Sequence, residues 1–256
     1  MLLTIDVGNT NIGFGLFEGD KLVQQFRCES ARQRTADEYA VFVRQTLALR
    51  GVEHAKVDAG IIASVVPSLT DVMVDVVRRA FAREPLVVGP KIRSGIAILY
   101  ENPRDVGADR IVNAVAAYDQ VKGGVIVVDF GTATTFDCVS EKGEYLGGVI
   151  APGIQISADA LFARAAKLHR VEIAKPPRAV GRNPVQSMQS GIVFGYAGLV
   201  DGVVARIKSE LGYPCAVIGT GGLANLIAPQ TTSIERVDEA LTLHGLRLLY
   251  ERNADA

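Results

Sequence analysis

The chain has 256 residues, of which 48% are hydrophobic and 21% charged, and carries a formal net charge of −1 at pH 7. That length supports one large core or two modest ones, and the composition excludes intrinsic disorder. Near-neutrality without a basic block argues against nucleic-acid and membrane-surface partners, and apolar runs such as 61–66 are too short to span a bilayer.

Strand-like runs at 2–6, 12–17 and 22–28 form a meander, with the hairpin signal Glu18-Gly-Asp20 before the third. A helical stretch follows over 36–50, then a buried-strand pattern at 60–65. Pro67-Ser-Leu-Thr70 punctuates before an apolar-periodic helix through Val72, Val76, Val77 and Ala80. Short β candidates lie at 86–88 and 96–99, and Gly107 precedes a helix through Ile111, Val115 and Tyr118. The second half repeats the order. Strands are expected at 125–129, 135–139 and 145–150, with a hairpin signal at Glu141-Lys-Gly143, and Pro152-Gly153 opens a helix to about residue 166. Residues 167–185, with three prolines and several charges, read as an exposed connection or lid. A long helical pattern spans 185–211, a buried strand covers 216–218, and a closing helix covers 238–251. A strand meander followed by an αβα run, twice, predicts a duplicated α/β architecture. The lobes divide at 1–118 and 119–256, with the closing helix free to pack back on the first.

Met1 leads straight into a strand and leaves no room for a secretory segment. Cys28, Cys138 and Cys215 are isolated, and His54, His169 and His244 are scattered. Together these point to a reducing cytoplasm without structural zinc.

The chemistry concentrates in two echoing segments, Asp6-Val-Gly-Asn-Thr-Asn11 and Asp129-Phe-Gly-Thr-Ala-Thr134. Each sets an Asp at the end of an apolar run, then Gly, then small hydroxyl or amide residues. A lone instance is an ordinary Asx turn. The pair reads as two turns aiming backbone N–H groups at phosphates in one cleft, with a carboxylate to hold a metal ion. Gly131, Thr132 and Thr134 are expected to donate from the second side. Neither segment is a Walker P-loop. Gly219-Thr-Gly-Gly222 follows a strand, and either lets adenine or ribose lie against backbone or makes a plain tight β–α connection. Asp109, in Gly107-Ala-Asp-Arg110, falls at a helix start, where an acidic residue also complements the dipole. Arg110 beside it is suited to gripping a carboxylate or to pairing on the surface. Gly191, Gly195, Gly198 and Gly202 recur at spacings of four, three and four on one face of the long helix. Each costs about 1 kcal/mol against Ala, so another helix is expected there, from the neighbouring lobe or from a second copy.

These motifs, with Gly147-Gly-Val-Ile-Ala-Pro-Gly153, resemble type III pantothenate kinase, a branch of the acetate and sugar kinase, Hsp70 and actin superfamily. The resemblance covers nearly the whole chain. It implies two duplicated ribonuclease-H-like lobes with an interlobe nucleotide cleft, and a homodimer that binds pantothenate and ATP. The implied nucleotide segment is Asp6, Val7, Gly8, Asn9, Thr10, Asn11, Ile12 and Gly13, with Thr132 on ATP. Asp109 is implied as the catalytic base. Gly107, Ala108 and Arg110 hold pantothenate, Tyr100 lines its pocket, and Asp129 binds a monovalent cation, K⁺ or NH₄⁺. Asp6 acts on Mg²⁺, directly or through water. One departure concerns Gly181-Arg-Asn-Pro184, where the family usually has Thr at the substrate-contacting position that Pro184 occupies here; proline brings neither a hydroxyl nor an N–H, though its carbonyl or ring remains to line the pocket. The alternatives are another small-molecule kinase of the superfamily, a polyphosphate-acting phosphatase, or a non-catalytic regulator of transcription. The spacing cannot make the Cys/His zinc cluster of repressor-type sugar kinases.

Overall fold

A computed structural model describes residues 1–165 and 168–254. The chain forms two compact units, one of Met1–Ile96, Glu101–Ala116 and Leu241–Ala256, the other of Ala97–Tyr100 and Ala117–Ala240.

In the first unit, β1 (Leu2–Val7), β2 (Asn11–Glu18) and β3 (Lys21–Glu29) form an antiparallel meander. Alternation decides which residues are buried together. Leu3, Ile5 and Val7 of β1, with Ile12, Phe14 and Leu16 of β2, pack against Tyr39, Val43 and Leu47 of α1 (Ala36–Leu49). Helix α1 starts at a capping box in which Thr35 and Glu38 satisfy each other's backbone N–H groups. Strand β4 (Ala59–Ser64) runs parallel to β1, α2 (Pro67–Phe81) begins with proline where no donor is lost, and β5 (Leu86–Val87) pairs parallel to β4. The sheet order is β3-β2-β1-β4-β5.

The next strand, β6 (Ala97–Ile98), pairs with the second unit's sheet. Helix α3 (Ala108–Val121) follows, and its Val112 and Val115 pack with Leu2, Phe17 and Ile61 on the other face of the first sheet.

The second unit repeats the plan. Strands β7 (Val125–Phe130), β8 (Ala133–Val139) and β9 (Glu144–Pro152) are an antiparallel meander, followed by α4 (Ile154–Arg164) and α5 (Pro184–Leu211). Strand β10 (Ala216–Thr220) lies parallel to β7; the short α6 (Ala224–Ile227) leads to β11 (Arg236–Val237), parallel to β10. The order is β11-β10-β7-β8-β9-β6. With β6 set aside, both sheets read 3-2-1-4-5 in their own chain order, the duplication expected from the repeated motifs. Ile126, Val128, Phe130, Phe136 and Cys138 make the core with α4, α5 and α6. The last helix, α7 (Leu241–Asn253), places Leu243, Leu246 and Leu249 in the core beside Val112 and Val115.

Several expectations change. The closing helix starts at Leu241 rather than at residue 238, because Asp238 is spent on the preceding turn: its N–H donates to the Gly219 carbonyl and its carboxylate accepts from Ala240 N–H. The end of α4 lies at Arg164; residue 166, where the sequence places it, and residue 167, where the connection begins, lie outside the described residues. Helix α5 is long and apolar enough, by length and composition, to cross a membrane, although the longest uninterrupted apolar runs are short. Its Ile192, Val193, Val200 and Val204 are buried in the core of the second unit, as in core helices of soluble folds. Among the described residues, a Cβ added at Gly191, Gly195 or Gly198 of the α5 glycine face would have no atom within 4 Å, whereas one at Gly202 would lie 3.4 Å from Arg206 Nη1.

Candidate active site

The first turn grows from β1. Because Leu3, Ile5 and Val7 are committed to the core, Asp6 projects to the other face, where its strand partner is Gly13. A Cβ on Gly13 would lie 3.9 Å from that of Asp6, so the carboxylate has a neighbour without a side chain. The turn closes tightly: Gly8 N–H donates to the Asn11 carbonyl at 3.0 Å, and any Cβ on Gly8 would stand 3.1 Å from that oxygen. Ser30 holds the turn from β3's end, its hydroxyl donating to the Gly8 carbonyl at 2.6 Å and its N–H to the Thr10 carbonyl at 3.0 Å. Two carbonyls are thereby turned inward, and Asn9, Thr10 and Asn11 are exposed.

The start of α3 lies at the same edge of that sheet. Strand β4 pairs Ser64 with Val7, Val65 N–H donates to the Val7 carbonyl at 3.1 Å, and a Cβ on Gly107 would lie 3.7 Å from Val65 Cγ1. Asp6, Val7 and the Gly107–Arg110 segment thus share the C-terminal end of the parallel strands, where open α/β sheets bind ligands. Asp109 Oδ1 accepts its neighbour Arg110's N–H at 2.8 Å, and a Cβ on Gly107 would stand 2.6 Å from that oxygen, so a side chain there would displace the carboxylate. Burial pushes the Asp109 carboxyl above the usual carboxylate range; the Arg110 N–H bond and the Arg110 charge offset part of that. Helix α7 braces α3: Gly245 sits against the Val112 carbonyl so closely that no Cβ fits, and Thr242 Oγ1 donates to Asn113 Oδ1 at 2.7 Å.

In the second unit three sequence motifs meet. Asp129, near the end of β7, lies between Thr135 of β8 and Thr220 of β10 in the pairing register. Gly221, at φ +91°, sits over the Asp129 carboxylate so closely that a Cβ there would collide with Oδ1, and one on Gly131 would lie 3.4 Å from the same oxygen. The glycine cluster after β10 is therefore a cradle around Asp129. Gly153 in turn packs on the carbonyls of Thr132 and Gly131, again with no room for a Cβ. Thr134 is different: it shares a strand face with Phe136 and Cys138, is fully buried, and its hydroxyl finds no hydrogen-bond partner among the described residues. The expectation that Thr134 donates to a phosphate is corrected by the strand's alternation, which leaves only Gly131 and Thr132 in the turn.

Tyr100, just past β6, belongs to this second unit, where its ring lies on Gly147 of β9. Pro184 is the first residue of α5, behind the Asn183 cap that accepts Gln186 N–H at 2.9 Å, and lines a groove of about 530 Å³ with Leu161, Met188 and Tyr196. Proline suits that first helical position. The sequence reading missed Ser30, whose place at the end of a strand carries no motif. It also missed Asp137, which keeps the two-residue phase of Thr135 and faces the same way as Asp129.

A sheet of this order, built twice, with an acidic turn at the end of each first strand, is the duplicated ribonuclease-H-like fold of the actin-like superfamily. Comparison with known proteins narrows it. The family described as type III pantothenate kinase matches residues 2–206. A type III pantothenate kinase of Myxococcus xanthus is 56% identical over 99% of both chains. Among solved structures, a protein described as a Baf family transcriptional activator from Campylobacter jejuni covers 99% of this chain and 100% of its own, at TM-score 0.61 and 19% identity. A ROK hexokinase from Thermus thermophilus covers 100% and 99%, at TM-score 0.52 and 14% identity. These two show the fold alone. The chain belongs to the type III pantothenate kinase family, and it is an enzyme, a pantothenate kinase.

Proposed function

We propose that Asp109 is the base in a transfer of the ATP γ-phosphoryl group to the primary hydroxyl of pantothenate, which yields 4′-phosphopantothenate and opens coenzyme A biosynthesis. The observation that carries this assignment is the half-buried carboxylate at the start of α3, beside the sheet edge that bears the Asp6 turn. Phosphoryl transfer is mostly positioning and charge stabilisation, with the base orienting the hydroxyl and taking its proton late. A carboxylate with raised proton affinity is better matched to that task than a solvated one. Gly107, Ala108 and Arg110 surround the base and hold pantothenate, with Arg110's planar fork suited to its carboxylate. Tyr100 lines the pocket, and Pro184 contributes ring or carbonyl.

The Asp6–Gly13 segment and Thr132 bind ATP. Two metal roles belong to the proposal. Asp6 offers one carboxylate beside a bare glycine position, which fits Mg²⁺, an ion that keeps waters and uses one or two carboxylates plus phosphate oxygens. Asp129, cradled by Gly131 and Gly221, fits a K⁺ or NH₄⁺ ion. Bound there, the cations supply positive charge against the phosphate oxygens as charge develops. The protein acts as a homodimer, and the open glycine face of α5 is the surface proposed for the second copy. No nucleic acid or membrane enters this reading, which takes the enzyme as cytoplasmic. ADP release measured with and without pantothenate, and with and without K⁺, tests it. Release that ignores pantothenate refutes the assignment, and release that ignores K⁺ removes Asp129 from its role.

A further inference from the structure

Asp137 is a fully buried carboxylate that the proposed reaction does not use. Strand alternation on β8 puts it on the face of Thr135, not on that of Phe136 and Cys138, which fill the core. Both carboxylate oxygens are engaged: Tyr145 Oη donates to Oδ1 at 2.8 Å, and Thr135 Oγ1 donates to Oδ2 at 3.3 Å. Tyr145 is itself fully buried. An apolar residue would fill this place without the cost of burying a charge, so the carboxylate's contribution lies in what it orients.

What it orients is a tyrosine ladder. The hydroxyl bond pins the Tyr145 ring, and the Tyr100 ring stands 6.4 Å from it, centroid to centroid, tilted by 52°. Tyr100 also rests on Gly147, where a Cβ would come within 3.3 Å of the ring and where φ is +115°. The backbone conformation calls for glycine at 147, and a side chain there would push on the ring. Tyr100 nevertheless keeps 38% of its surface exposed.

We infer that Asp137 and Tyr145 are positioning residues for pantothenate, acting through Tyr100; the inference rests on the reading that Tyr100 lines the substrate pocket. Tyr145 and Gly147 support the Tyr100 ring, and Asp137 with Thr135 anchors Tyr145. The full-length enzyme tests it through steady-state kinetics in both substrates. Tyr145→Phe keeps the ring and removes only the anchoring bond. It is expected to raise the pantothenate KM about three- to tenfold, with the ATP KM unchanged and kcat within about twofold. Asp137→Asn, which keeps an acceptor for the Tyr145 hydroxyl, stays within about twofold of the parent. Thr135→Val releases the other carboxylate oxygen and raises the same KM with the same sign, and so decides the matter if Tyr145→Phe does not fold.

Tyr100→Ala separates the two layers of the argument. If it leaves the pantothenate KM unchanged, the substrate reading falls. If it raises that KM while Tyr145→Phe and Thr135→Val do not, the substrate reading stands and the positioning role falls. An equal rise in both KM values, or a lower melting temperature with unchanged kinetics, reduces Asp137 and Tyr145 to fold residues and overturns the inference.

Discussion

Replacing Asp109 by Asn is the sharpest test of the catalytic assignment, because the structure predicts opposite effects on turnover and on stability. An Asn retains Oδ1, and so keeps the bond from Arg110 N–H, measured at 2.8 Å. The start of α3 is preserved. What disappears is the ionisable group: general-base catalysis contributes about 10²- to 10⁴-fold, or roughly 3–5.5 kcal/mol in the barrier. Turnover should fall by that factor while ATP still binds, which a coupled ADP assay and calorimetric titration of ATP measure. Stability should move the other way. Burial raises the Asp109 pKa in the folded state, so the folded protein holds that proton more tightly than the unfolded chain does. The associated stability is present below the unfolded pKa and is lost as pH rises through the raised folded one. At neutral pH the charge is therefore a burden to the fold, and its removal should leave the melting temperature unchanged or higher. The parent's kcat/KM should climb on its acidic limb through a pKa above the ordinary carboxylate range, and that limb should vanish in the variant. Near-normal turnover, or a variant markedly less stable at neutral pH, would refute the reasoning.

Three further outcomes are expected. Gly221→Ala forces a left-handed backbone position and a Cβ onto the Asp129 carboxylate; it should cost about 1–3 kcal/mol in denaturant unfolding and raise the K⁺ concentration for half-activation. A parent-like K⁺ titration counts against the cradle. Gly195→Leu projects into open space within one chain, so the monomer's fold should tolerate it while light scattering shows the dimer weakened; an intact dimer relocates the interface. Thr35→Ala breaks the capping box of α1 and should cost about 0.5–2 kcal/mol in unfolding with kcat unchanged.

Much of this protein is written locally. Near-continuous apolar runs over 2–5 and 125–128 place Asp6 and Asp129 at the ends of buried strands, and that pattern needs no partner to be read. The repeated meander, both hairpins and the long α5 helix follow from period-two and period-3.6 patterning and from Gly and Pro punctuation in the same way. The two-residue strand β11 carries too little pattern to be placed, and Asp238 offers an acidic helix start that a turn had already claimed.

Tertiary structure alone decided which segments meet. Gly221 over Asp129, Gly153 on Thr132, Gly245 against Val112 and Tyr145 bonded to Asp137 are contacts of backbone and side chain between residues distant in sequence or on different strands. Residue type announces that a glycine or a buried acid is unusual, but its reason lies in a neighbour that only the folded sheet brings within reach. Local periodicity is a property of a few consecutive residues, whereas the cradle and the ladder depend on strand order and register, which exist only once the whole unit has packed.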